Sequence, residues 1–374
     1  MGIIAGLPGL SDPDEKTFQV NFAQLYAEQV ELRAPHLPAE WAPQSGIQMT
    51  WPHADTDWAP MLAEAEDCFV NIAREIARRE QLLIVAPDIE AVKRRIESEV
   101  EMQRVGFFEC PTNDTWARDH GAITLTDIDG LLLLDFTFNG WGLKFAADKD
   151  NLINRRAVDA GILHGRYANH LDFVLEGGSI DTDGMGTLLT TSECLLSPNR
   201  NGQMNRVDIE EYLRSVFHLQ RVLWLDHGYL AGDDTDSHID TLARFCSPDT
   251  IAYTQCTDAD DEHYQELRRM EEELQAFRTS DGKPYRLLPL PLPDAVYDAH
   301  GGRLPATYSN FLILNGAVLC PTYRQPDKDA RACHVLQEAF PDRQVIGIDC
   351  SPLIRQHGSL HCVTMQYPKG VLNN

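Results

Sequence analysis

Apolar residues recur at three- and four-residue spacing over residues 60–79, 89–100, 205–216, 262–278 and 327–340, which predicts five helices with one buried face each. Between them, short apolar runs predict strands at 82–86, 122–125, 131–137, 187–191, 222–225, 251–254, 311–314, 318–319 and 345–348. Turn chemistry orders these runs. Asp129-Gly130, Asp183-Gly184, Ser247-Pro248-Asp249 and Asn315-Gly316 each separate two strand-like runs. Asp-Gly and Asn-Gly suit tight hairpins because both central positions tolerate positive φ. Each hairpin is followed by a helix and a further strand, giving a degenerate repeat of strand–turn–strand–helix–strand. The pattern fits a radial arrangement of small sheets and an ordinary α+β sheet equally well.

Residues 1–36 read as an extension, with a helix over about 15–32 and a Pro-bearing break at Ala34-Pro35-His36-Leu37-Pro38. No shift in composition divides residues 37–374, which read as one catalytic domain. The Pro-rich stretch 284–305 carries Leu at alternate positions, so it reads as an extended strand followed by a surface loop.

Charge narrows the possible partners. The chain has 374 residues, with 57 Asp plus Glu against 32 Lys plus Arg and a formal net charge of −25. A surface this acidic repels phosphate backbones and anionic headgroups, so nucleic acid and membranes are poor partners, while small cations are compatible. Nine scattered cysteines without a C-x-x-C pair argue for reduced thiols and a cytoplasmic protein, and against structural zinc. The oligomeric state stays open, a homo-oligomer included.

Five segments place polar groups within apolar, Gly-punctuated surroundings. Thr112-Asn113-Asp114-Thr115-Trp116-Ala117-Arg118-Asp119 crowds an aromatic ring, an Arg and two acids ahead of a strand; the plain alternative is a solvated turn with an Arg–Asp pair. Glu176-Gly177-Gly178 ends an apolar strand with a close-approach loop, and its carboxylate makes a phosphate site unfavourable. His238-Ile239-Asp240, read as strand, puts imidazole and carboxylate on one face, with too few ligands nearby for a metal. Leu360-His361-Cys362-Val363-Thr364 opens a strand after a glycine turn. Phe138-Asn139-Gly140-Trp141-Gly142 reads as core packing with a close-approach loop, or else as a substrate wall.

These segments supply one thiol (Cys362), one imidazole (His238) and three acids (Asp119, Glu176, Asp240). A thiol with a nearby His suits covalent catalysis, although the papain-like order of Cys before His is reversed. Three acids would suppress a thiolate unless a cation binds among them. A guanidinium resolves that conflict, being flat, positive and readable by paired carboxylates.

Taken in order, Trp51-Pro52, Asn113-Asp114-x-Trp116-x-Arg118-Asp119, Phe138-Asn139-x-Trp141-Gly142, Glu176-Gly177-Gly178, His238-x-Asp240 and Leu360-His361-Cys362-Val363-Thr364 closely resemble the agmatine deiminase family. That family, with the bacterial peptidylarginine deiminases, belongs to the guanidine-modifying superfamily. The resemblance implies a five-bladed α/β propeller of pseudo-symmetric ββαβ units around a central active-site channel. It implies Cys362 as nucleophile, His238 as acid/base, Asp119 and Asp240 gripping the guanidinium, Glu176 orienting His238 or the guanidinium, and Trp116 lining the channel. It also implies hydrolysis of agmatine to N-carbamoylputrescine and ammonia in polyamine biosynthesis, with no metal or organic cofactor. The alternatives are a peptidylarginine or other alkylguanidine substrate, or a non-catalytic binding protein on the same scaffold. One departure concerns the mouth of the channel: Gln356-His357-Gly358-Ser359-Leu360 stands where plant-type members carry three glycines and an Asn.

Overall fold

The computed structural model describes residues 35–373; the helix expected over about 15–32 lies outside them. Sixteen strands form five small sheets among the described residues. Four follow one plan, an antiparallel hairpin, a helix, and a third strand parallel to the second. They are β4 (Ile123–Asp127), β5 (Gly130–Thr137) and β6 (Arg166–Val174); β7 (Ile180–Thr182), β8 (Thr187–Thr191) and β9 (Arg221–Leu225); β10 (Ala243–Ser247), β11 (Thr250–Gln255) and β12 (Arg286–Pro291); and β13 (Leu312–Leu314), β14 (Ala317–Thr322) and β15 (Gln344–Asp349). All four expected turns fall within these hairpins.

The remaining sheet is made from both ends of the described chain. β1 (Gln44–Thr50) pairs antiparallel with β16 (Thr364–Pro368), Ile47 facing Gln366 and Met49 facing Thr364. β2 (Gln81–Ala86) and β3 (Val105–Glu109) then add in parallel, with α1 (Leu62–Ala77) and α2 (Ile89–Ile96) between them. The crossover helices of the other sheets are α4 (Ile153–Asp159), α5 (Arg206–Phe217), α6 (Tyr264–Ala276) and α7 (Pro326–Ala339); α3 is the short Ala117–His120 turn before β4. A parallel connection needs such a crossover, whereas a hairpin does not.

Position within the sheet explains each strand's composition. The middle strands β2, β8, β11 and β14 are buried almost throughout; β2 and β14 read as largely apolar runs, while β8 and β11 bury Thr among their apolar residues. The outer strands β3, β6 and β15 keep an exposed face. β12 tolerates Pro289 and Pro291 because it is an outer strand, and it buries Leu288 and Leu290 at alternate positions, as the sequence implies. Helix α1 turns Ala65, Phe69, Ile72, Ala73 and Ile76 inward. No helix among the described residues is long and apolar enough to cross a membrane.

Candidate active site

The residues singled out from sequence share one topological position. Asp119 precedes β4, Glu176 precedes β7, His238 and Asp240 precede β10, and Cys362 precedes β16. The fifth unit contributes Asn310, just before β13. Its side-chain oxygen accepts from Cys362 N at 3.3 Å and His361 N at 2.8 Å, and lies 3.4 Å from Cys362 Sγ. No motif flagged Asn310; applying the hairpin repeat to the strand before Asn315-Gly316 points to it.

The side chains converge on Gly178. A Cβ added there would meet His238 Nδ1 at 2.7 Å, Asp119 Oδ1 at 2.8 Å and Asp240 Oδ2 at 3.1 Å, so only glycine leaves them room to meet. Gly178 N–H donates to Asp119 Oδ1 at 3.1 Å, and the indole N–H of Trp141 donates to Asp119 Oδ2 at 3.0 Å. Cys362 Sγ lies 3.8 Å from Asp240 Oδ2, and Arg118 N–H ties the Cys362 carbonyl at 3.2 Å.

Local backbone differs from the sequence reading in two places. His238 and Asp240 are not on a strand: Ile239–Thr241 is a turn of 3-10 helix that follows Asp236 and Ser237, both left-handed at φ 64° and 61°. Both side chains still reach the site. Cys362 sits in the turn two residues before β16 rather than opening the strand. Trp141 is also left-handed, with φ 55° between Gly140 and Gly142, while Asn139 Oδ1 accepts from Gly142 N at 2.8 Å. Positive φ is costly for such residues and collects where surroundings over-determine the backbone, often at functional sites. The Asn-x-Trp-Gly motif is thus a turn that delivers an indole to Asp119, beyond the core packing expected of it.

Electrostatics separate the acids into two kinds. Glu176 is fully buried and spent on Arg200, whose Nε lies 2.9 and 3.0 Å from its two oxygens; Arg200 also reaches Asp236 at 2.5 Å. Glu176, expected to orient His238 or the guanidinium, therefore has a cationic partner of its own in Arg200. Glu176, Cys194 and His238 do bring one donor atom each within 4.8 Å of one another, but the carboxylate already serves Arg200. Among the described residues Asp119 makes no ion pair with Lys or Arg, and the imidazole nearest to it is His238, 3.7 Å away. Burial, then Asp240 and Glu176, push its carboxyl well above the ordinary range. Burial lowers His238 to about 3, so the ring is neutral at pH 7, and neither ring nitrogen has a hydrogen-bond partner. Burial, Asp240 and Asp119 together push the Cys362 thiol well up. The empty site therefore suppresses its own thiolate and asks for a positive charge. Arg118, whose plain reading was an Arg–Asp turn pair, instead points to Glu40 at 3.2 Å.

Above Cys362 an opening of about 390 Å³ is lined by Asp57, Asp114, Asp234, His357, Trp116 and Trp141, among others, and no described lining residue is Lys or Arg. Asp114 accepts both Trp58 and Trp116 indole N–H groups at 3.0 Å, and burial raises it to about 6. Gly358 is required here, because a Cβ would collide with the Trp116 ring.

A buried thiol ringed by acids, delivered by five ββαβ-type sheets, is the build of a guanidino-group-modifying enzyme. Residues 36–368 match the model of the Porphyromonas-type peptidyl-arginine deiminase family. An agmatine deiminase of Stutzerimonas stutzeri is 34% identical over 356 residues, covering 89% of this chain and 95% of the relative. A substrate-bound Cys-to-Ser variant of C. jejuni agmatine deiminase superposes with TM-score 0.84 at 38% identity, covering 90% and 97% of the two chains. A Porphyromonas gingivalis structure assigned provisionally as an arginine deiminase superposes with TM-score 0.86 at 54% identity, covering 91% and 100%. The chain belongs to this peptidyl-arginine and agmatine deiminase family.

Proposed function

We propose that the protein hydrolyses the guanidinium of agmatine to N-carbamoylputrescine and ammonia, serving putrescine synthesis, with Cys362 as nucleophile. The observation that carries this reading is an excess of acid: Asp119, Asp240 and the acids of the mouth surround a suppressed thiol, and among the described residues no Lys or Arg lines the opening. A substrate guanidinium between Asp119 and Asp240 supplies the missing cation and lowers the cost of the thiolate. Neutral His238 takes the thiol proton as sulfur attacks the guanidinium carbon. It returns that proton to one amino group, which leaves as ammonia, and the carbon remains as a cationic thiouronium. His238 then deprotonates water as its oxygen adds to the thiouronium carbon; the C–S bond breaks and His238 returns that proton to the departing thiolate. The hydroxyl proton left on the new carbonyl passes to solvent, where the released ammonia takes it up as ammonium. Glu176, anchored by Arg200, holds the His238 wall, and Trp116 and Trp141 line the approach. In the same reading the five sheets are blades of a propeller around this channel, and residues 37–374 form one catalytic domain.

Agmatine carries an amine at its far end where arginine carries a carboxylate as well. A mouth lined by Asp57, Asp114 and Asp234 favours the first and repels the second. Comparing kcat/KM for agmatine, arginine and a peptidyl-arginine by ammonia release tests the assignment. Agmatine should lead clearly; equal values would remove the substrate claim, and no release from any would remove the activity.

A further inference from the structure

Behind Cys362 lies a string of buried charges that the steps above do not use. His361 Nδ1 is 2.8 Å from Asp240 Oδ2, while its Nε2 is 2.9 and 3.2 Å from the two oxygens of Glu40. Glu40 also receives Arg118 Nη1 at 3.2 Å and Arg244 Nη2, and Arg244 Nε reaches Asp181 at 3.2 Å. Every member is buried, His361 to within 1% of full burial. Signs alternate along the string, from Asp240 through His361 to Glu40, the two guanidiniums and Asp181.

The ring's proton count follows from its neighbours. A neutral imidazole has one N–H and would face one of the two carboxylates with a lone pair; an imidazolium satisfies both. Against the penalty of burial, Arg244, His361 and Arg118 hold Glu40 well below the usual carboxylate range. Against the same penalty, His361 holds Asp240 below it. Burial, Arg118 and Arg244 pull His361 below the usual imidazole range, and the carboxylates on its two nitrogens oppose them; the two short contacts, each of which needs a donor, set the proton count against that pull. With both acids ionised, two N–H donors are what the geometry requires.

The consequence falls on Asp240. Its Oδ2 is held by His361, while Oδ1 is buried without a partner. We infer that His361, clamped as an imidazolium between Glu40 and Asp240, is a positioning residue that fixes the Asp240 carboxylate for the guanidinium and offsets its charge beside Cys362. This inference rests on the deiminase reading of the site. Glu40, in the segment leading into β1, thereby acts on the reacting centre from beneath it without touching substrate.

The test has two arms in the full-length protein. In a 15N-histidine spectrum, His361, assigned by its loss in His361→Gln, should show two ring N–H signals between about pH 6 and 8. A single N–H across that range overturns the imidazolium. Glu40→Gln should lower kcat/KM for agmatine about tenfold, chiefly through KM, and shift Cys362 alkylation by iodoacetamide to higher pH. Glu40→Asp, which keeps the charge, should restore much of both. The groups facing His361 are Asp240, Glu40, Arg118 and Arg244, so the alkylation profile is also run in Arg118→Lys, where the shift should be smaller than in Glu40→Gln. Unchanged KM and alkylation in Glu40→Gln overturn the proposal; a poorly folded Glu40→Gln leaves the spectrum of the unaltered protein to decide. If the unaltered protein releases no ammonia from agmatine, the deiminase reading fails while the spectrum still reports on the clamp.

Discussion

Two openings lie next to the site, one lined by Arg118 and Gly177 and the other by Asp119 and Cys362, and they treat charge in opposite ways. The larger, about 600 Å³, is lined by Glu40, Asp181 and Arg118 beneath the site; its acids are matched by the guanidiniums of Arg118 and Arg244. The smaller, about 390 Å³, lies over Cys362 and leaves Asp57, Asp114, Asp119 and Asp234 without a lining Lys or Arg. Size therefore does not mark the reacting end. Matched charges hold the fold together, whereas unmatched charges await a ligand that brings the balance with it.

Five substitutions or conditions sharpen that contrast. Cys362→Ser should cut kcat for agmatine by about a thousandfold or more while still binding it, read by isothermal titration beside a turnover assay. Asp181→Asn strikes the matched end, and breaking a buried pair should cost about 3 kcal/mol in urea unfolding with KM little changed. Should it raise KM without loss of stability, the two ends would not be separable. Asp234→Asn strikes the unmatched end and should raise KM for agmatine about tenfold, with kcat and unfolding midpoint nearly unaltered. The smallest effects come from solution conditions. Asp114 is an anion above about pH 6 and neutral below it, so kcat/KM should fall by a few fold on the acid side, and that step should vanish in Asp114→Asn. Raised ionic strength should lower kcat/KM more than kcat, because the whole-molecule field acts on encounter.

What was legible in the sequence was local. Asp-Gly and Asn-Gly turns specify hairpins by themselves, and three of the five sheets could be placed from them, with a fourth from Ser247-Pro248-Asp249. β1 and β16 had no such turn because they meet from opposite ends of the chain. β3 and β6 hid because outer strands expose polar faces, which breaks up their apolar pattern. Alternation at His238-Ile239-Asp240 suggested a strand, but the left-handed pair before it sets up a 3-10 turn. Cys362 and Asp119 stood out because reactive side chains sat close to glycine, and His238 with Asp240 because imidazole and carboxylate stand two positions apart. Glu40, Arg200, Arg244 and Asn310 did not, since their meaning lies in remote partners: Glu40 meets His361 across 321 positions of sequence.

The pairing of β1 with β16 also sets a clock. β16 is made after the other strands described, and the turn holding Cys362 leads directly into it. Once residue 349 has been made the chain can carry four complete sheets together with Asp119, Glu176 and Asp240, yet no placed nucleophile. Pairing of β16 with β1 then completes the site, so a chain cut before residue 364 should release no ammonia from agmatine.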